Sequence, residues 1–116
     1  MTKIVFFRRD GAFWGFDEHG HTGYGESGDD VLCAALSAMT MLLLNTLEIS
    51  YAADVDYNID EGGTEISVRC GAALPESGED EKKQFAAEGL IKGYYYQLND
   101  LLEEYFDYLD VEIVDE

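Results

Sequence analysis

The chain predicts an α+β fold in the order strand, strand, helix, strand, strand, helix, strand: a mainly antiparallel sheet layered with one buried and one amphipathic helix. Three observations predict it. Two pairs of alternating β-branched and aromatic runs are each joined by a short turn sequence. A stretch from Val31 to Leu47 carries no charged residue, as a buried helix would. A later run repeats apolar residues near a 3.6 period with acids opposite, as an amphipathic helix would. At 116 residues a single domain, 1–116, is expected, long enough for a real core but too short for two.

The first pair runs from Lys3 to Arg9 and from Ala12 to His19, about Asp10-Gly11, the dipeptide best suited to a type I′ hairpin turn. Its second strand delivers His19 and His21 two residues apart. The segment that follows, GHTGYGESGDDVLCAALS from Gly20 to Ser37, organises the chain. Gly20, Gly23, Gly25 and Gly28 make a flexible loop that can fold back, because glycine tolerates positive φ. Asp29 and Asp30 suit the N-cap and first turn, where carboxylates accept from unpaired N–H groups and complement the helix dipole. A buried helix is therefore expected from about Asp30 to Ile49, with Cys33 in or next to its first turn.

Val55, Tyr57 and Ile59, then Ile66, Val68 and Cys70, form the second pair, joined at Glu61-Gly62-Gly63-Thr64. Leu74 to Gly78 reads as a loop around the only proline, which cannot sit inside a strand. Ser77, with Asp80 three residues on, resembles a capping box. The second helix, about Glu79 to Tyr108, has apolar positions at Phe85, Ile91, Tyr94, Tyr95, Leu98, Leu101, Leu102, Tyr105 and Leu109. Gly89 and Gly93 each weaken it by about 1 kcal/mol, so close packing against a neighbour is expected there. Val111 and Ile113 make the last strand. The first helix is more apolar than one monomer can cover, which predicts a homodimer.

Met1 to Asp10 contain no apolar signal core. The apolar run, broken by Ser37, Thr40 and Asn45, falls short of the roughly 20 residues that span a bilayer. A soluble cytoplasmic protein, with no membrane partner, is the expectation. Two cysteines are too few for a disulfide framework, and both should be reduced. Cys70 ends a strand and reads as a small buried hydrophobe. The formal net charge of -18 argues against nucleic acid as a direct partner and favours a cationic one, although it also serves solubility. From Asp100 to Glu116 every charged residue is acidic, a field that would steer a lysine-rich substrate.

Cys33 has the surroundings of a nucleophile. A thiol attacks only as thiolate, and a helix N-terminus or a protonated histidine lowers its pKa. His21 supplies the second of these if the loop folds back. An alternative in which His19, His21 and an Asp hold a metal lacks any CxxC or HxxxH spacing, so no metal and no cofactor are expected. Gly20-His21, the glycine-rich loop, then Gly28, Asp30-Val31-Leu32-Cys33-Ala34-Ala35 and Ser37 resemble the signature of the ribosomal-processing cysteine protease family, Prp. That resemblance implies a small homodimeric cysteine endopeptidase of Gram-positive-type bacteria. Its members remove a short N-terminal extension from a basic large-subunit ribosomal protein, the twenty-seventh of that series. By position, Cys33 would be the nucleophile and His21 the base that activates it and then protonates the leaving amine. Gly20, Asp30 and Ser37 would be the auxiliary positions, while Thr22, Gly23, Tyr24 and Ser27 sit where the family varies.

The pair must still invert its proton affinities. A thiol of about 8.5 facing an imidazole of about 6.5 forms little ion pair unless the values cross. A helix end supplies about 0.3–2 kcal/mol, so the imidazolium must provide the rest. Asp29 and Asp30 oppose a thiolate by like charge, so Asp30 is expected to point away, capping the helix or holding His21 in its useful tautomer. Ser37, one turn after Cys33, could bond the loop or a carbonyl. A loop so rich in glycine predicts a site assembled on substrate binding. The rival reading is a non-catalytic acidic module that binds ribosomal proteins or assembly factors, with Cys33 a structural thiol.

Overall fold

The computed structural model describes residues 1–20, 27–60 and 65–116, and of 27–30 the backbone alone. Strands β1 (Thr2–Arg9) and β2 (Ala12–His19) form the opening hairpin. Asp10 and Gly11 have φ of 52° and 82°, the paired positive values that a type I′ turn requires. Helix α1 (Ser27–Asn45) runs into a π-helical turn at Thr46–Ser50. Strands β3 (Asp56–Ile59) and β4 (Glu65–Arg69) follow, then two 3-10 turns, helix α2 (Glu81–Tyr105) and strand β5 (Leu109–Asp115). The sheet order is β3-β4-β2-β1-β5. Only β5 runs parallel to its neighbour, β1; the other pairings are antiparallel. This is the predicted α+β arrangement.

Alternation puts Ile4, Phe6, Phe16, Ile66, Val68 and Cys70 on one face, where all are buried, and both helices cover that face. Tyr94 and Tyr95 of α2 dock on Phe6 with ring centroids 5.8 and 5.3 Å away at steep angles, the edge-to-face geometry that aromatic quadrupoles favour. Phe16 meets Tyr94 at 5.1 Å. On the opposite face Arg69 is pinned by Asp17 at 2.8 Å and lies 4.0 Å from the Phe7 ring centroid, so its stem shields the apolar residues there. Basic residues of β1 hold the acidic last strand: Arg8 makes a two-pronged contact with Asp115 at 2.7 and 2.8 Å, and Lys3 reaches Glu112 at 3.2 Å. These pairs are exposed and each adds little to stability.

Helix boundaries depart from the sequence reading in ways that bear on the site. α1 begins at Ser27, so Asp29 and Asp30 lie inside its first turn rather than at the N-cap. Gly28 belongs to the helix instead of the loop, and Cys33 falls in the second turn. α2 is capped by Asp80, whose carboxylate accepts from the Lys82 N–H at 2.9 Å. Ser77 instead bonds the Glu79 N–H at 3.2 Å, a local turn, so the expected capping box is absent. Leu109 opens β5 instead of extending α2, and Phe85 projects into solvent. A Cβ added at Gly89 or Gly93 would meet nothing within 4 Å; the close packing expected there is not found among the described residues.

Burial of α1 is confined to one stripe. Leu32, Leu36, Thr40, Leu43 and Leu44, with Leu47 of the π-helical turn, face the core, whereas Val31 is 58% and Leu42 65% exposed, and Met41 and Ile49 are exposed as well. By length and composition Val31–Ser50 is long and apolar enough to cross a membrane, contrary to the shorter, interrupted run read from sequence. Core helices of globular domains meet the same criterion, and here the inner stripe is occupied by the sheet and α2.

Candidate active site

Cys33 is held in the second turn of α1, in the core-facing stripe, with 5% of its surface exposed. Ser37 lies one turn further on and is half-buried. Neither Cys33 nor Cys70 is in a disulfide. Cys70 is fully buried, its thiol directed at the Asp54 carbonyl at 3.5 Å and pushed up in pKa by burial, as befits a core residue. Gly20 follows β2 with φ of 75°, and a Cβ there would come within 2.6 Å of the Met1 carbonyl oxygen. Glycine makes this exit without strain, and the next residue in the chain is His21. His21, Gly23 and Gly25 lie outside the described residues, as does the Asp30 side chain.

Starting α1 at Ser27 changes the electrostatics of the site. The unpaired N–H groups of a helix belong to its first four residues, and the dipole acts mainly over that turn. Both therefore lie a turn before Cys33. A helix-end contribution to a thiolate at Cys33 would be correspondingly smaller than the sequence implied.

One polar group here escaped the sequence reading. Glu18, the last inward-facing residue of β2, is wholly buried between the sheet and both helices. Its Oε1 accepts from the Tyr94 hydroxyl at 2.5 Å and from the Thr40 hydroxyl at 2.8 Å. Among the described residues its Oε2 is buried without a partner, as is the hydroxyl of Thr2 at the same end of the sheet. Burial pushes the Glu18 carboxyl up, against the opposing pull of the bonds from Tyr94 and Thr40. Burial and the neighbouring carboxyl push the Tyr94 hydroxyl well above an ordinary tyrosine. The sequence signal was present: with Phe16 pointing inward, a strand places Glu18 inward too.

Two hollows flank this region. An apolar groove of about 170 Å³ lies between α1 and α2, walled by Met39, Leu42, Leu43, Leu90, Gly93 and Tyr94. On the other face of the sheet a polar hollow of about 250 Å³ is lined by Asp17, His19, Asp60 and Glu65. His19 is exposed there, 3.5 Å from Glu65. Among the described residues no group of three or more histidine, cysteine or acidic side chains could hold a metal; His21, which the metal reading also needed, lies outside them.

The sequence model of the family described as cysteine protease Prp matches residues 1–110. The chain belongs to the cysteine protease Prp family. Among solved structures, SMU.848 from Streptococcus mutans is similar to this Prp-family chain, with a TM-score of 0.80 and 26% identity over 100% of this chain and 99% of that one. The essential ribosomal processing protease Prp from S. aureus, in complex with a substrate peptide, superposes with a TM-score of 0.76 at 20% identity over 100% of both chains. In complex with a covalently linked product peptide the figures are 0.77 and 21%, over 98% of this chain and 100% of that one. At these identities the S. aureus structures establish the shared fold. Comparison with curated proteins gives no match.

Proposed function

We propose that this chain is a cytoplasmic, homodimeric cysteine endopeptidase that removes the N-terminal extension of a basic large-subunit ribosomal protein, the twenty-seventh of its series. The observation that carries this reading is the family match across residues 1–110. Cys33 is the nucleophile and His21 the general base. His21 takes the thiol proton, and the thiolate adds to the scissile carbonyl to give a tetrahedral oxyanion. Collapse breaks the C–N bond as the imidazolium protonates the leaving amine, and water then hydrolyses the thioester. Oxyanion donors would be backbone N–H groups of the first turn of α1. Because Cys33 is nearly buried, a substrate carbonyl reaches it only after neighbouring groups move, in keeping with a site assembled on binding.

Dimerisation draws support from the uncharged stripe Val31, Met41 and Leu42 and the groove beside it, since apolar surface of this kind on a helix is normally covered. The burial of Cys33 favours the rival reading of a non-catalytic acidic module. Incubating the protein and Cys33→Ala with the extended ribosomal protein, and weighing the products, separates the two. Proteolysis predicts two fragments from the wild type and none from the variant. Intact substrate with the wild type, or equal cleavage by both, would refute the assignment.

A further inference from the structure

The inner stripe of α1 is nearly featureless. Leu32, Leu36, Leu43 and Leu44, and Leu47 in the π-helical turn beyond, all face the core, and hydrophobic packing is non-directional. A helix held only by such contacts can slide or roll with leucine still facing leucine. Thr40 is the one buried polar side chain along α1 among the described residues, and its hydroxyl meets Glu18 Oε1 at 2.8 Å and the Tyr94 hydroxyl at 3.2 Å. A hydrogen bond of this kind is strongly dependent on distance and angle. It marks one position along the helix and one rotation about its axis.

Glu18 is itself fixed from every side. Its strand neighbours are Ile4 and Ile66, and the groups facing it from α1 and α2 are the neutral Thr40 and Tyr94. None of the described ion pairs involves it. Tyr94 is in turn wedged against Phe6 and Phe16. A buried carboxyl with one oxygen unpartnered is a poor source of stability. The best-attested benefit of a buried polar contact is the selection of one register over others.

The placement of this contact relates it to catalysis. Glu18 lies three residues before His21 on the strand that launches it, and Thr40 lies seven residues after Cys33, two turns along the same helix face. We infer that Glu18, acting through Thr40 and Tyr94, is a positioning residue that fixes the register of α1 on the sheet and so sets Cys33 relative to the strand end from which His21 departs. The inference rests on the reading of Cys33 and His21 as the reacting pair. Among the described residues the partners of Glu18 are Thr40 and Tyr94, and it acts through the helix.

The test compares Glu18→Leu, Thr40→Val and Tyr94→Phe with Glu18→Gln, which keeps a carbonyl acceptor at the same place. Four quantities are read: kcat and KM for peptide cleavage, the pH profile of Cys33 alkylation located by mass mapping, and the melting temperature. Glu18→Leu and Thr40→Val are expected to lose about 10- to 100-fold in kcat, the scale of small misplacements of a reacting group, with KM little changed. Their alkylation profiles should shift, and Glu18→Gln should restore both readouts to near wild type. Wild-type kcat and an unmoved profile in Glu18→Leu and Thr40→Val would overturn the inference. So would activities that simply follow melting temperature across the four variants. Cleavage by Cys33→Ala would instead refute the catalytic reading, and the alkylation profile, which needs no substrate, would still decide whether Glu18 sets the position of Cys33.

Discussion

Gly20 shows how a single backbone angle can govern a site. Its positive φ and the 2.6 Å approach to the Met1 carbonyl that a Cβ would make mean that Gly20→Ala must shift either the N-terminal strand or the exit of His21. Left-handed strain for a non-glycine residue is about 1–2 kcal/mol. Gly20→Ala should therefore lower stability by about that amount or more in denaturant melts, and lower kcat/KM by about tenfold or more, since the displaced residue is the proposed base. Unchanged cleavage by a folded Gly20→Ala protein would dissociate the glycine from catalysis. Glu18 makes a prediction about pH. Its carboxyl has its ordinary value in the unfolded chain and a raised one in the fold. Between those values the fold holds a proton that the unfolded chain has lost. Stability therefore falls as pH rises through that window, by about 1.4 kcal/mol per unit, and this contribution levels off above the folded value. Urea melts of Glu18→Gln should lack that slope; an identical pH dependence in both proteins would contradict the assignment.

Helix α1 carries two faces with different tasks. Its inner stripe completes the core, and its outer stripe of Val31, Ala34, Ala38, Met41 and Leu42 is uncharged and exposed. If the outer stripe is the dimer surface, Leu42→Glu places a charge in a desolvated contact, which an interface does not tolerate without a partner. Sedimentation should then show monomer for Leu42→Glu at concentrations where the wild type is dimeric, with the helical circular dichroism unchanged. A wild type that sediments as monomer, or a variant as dimeric as the wild type, would remove that role. With α1 starting at Ser27, its first-turn N–H groups lie about a turn before the proposed nucleophile.

Across the whole molecule the charge is unevenly committed. Lys3, Arg8 and Arg9 are drawn to acids of the last strand and C-terminus, and Arg69 to Asp17. Seven basic residues leave most of the 25 acidic ones uncompensated, so a basic substrate meets a strongly negative field. Cleavage should weaken with salt: a tenfold rise in ionic strength is expected to lower kcat/KM by about three- to tenfold, through screening of encounter. A flat response would mean that recognition rests on the apolar contacts alone.

The order of elements, the hairpin at Asp10-Gly11 and the inward rows of β1, β2 and β4 were all legible in the sequence, because turn chemistry and side-chain period are local properties. Other features were not. The start of α1 is one: the acids read as N-cap and first-turn residues both lie within the helix, which begins at Ser27. The parallel pairing of β5 with β1, the exposure of one face of α1 and the open surroundings of Gly89 and Gly93 are set by which element lies beside which. Glu18 gathers both kinds of information. Its inward direction follows from the strand period, whereas its meeting with Thr40 and Tyr94, from segments 22 and 76 residues away, exists only once three elements have packed around one carboxyl.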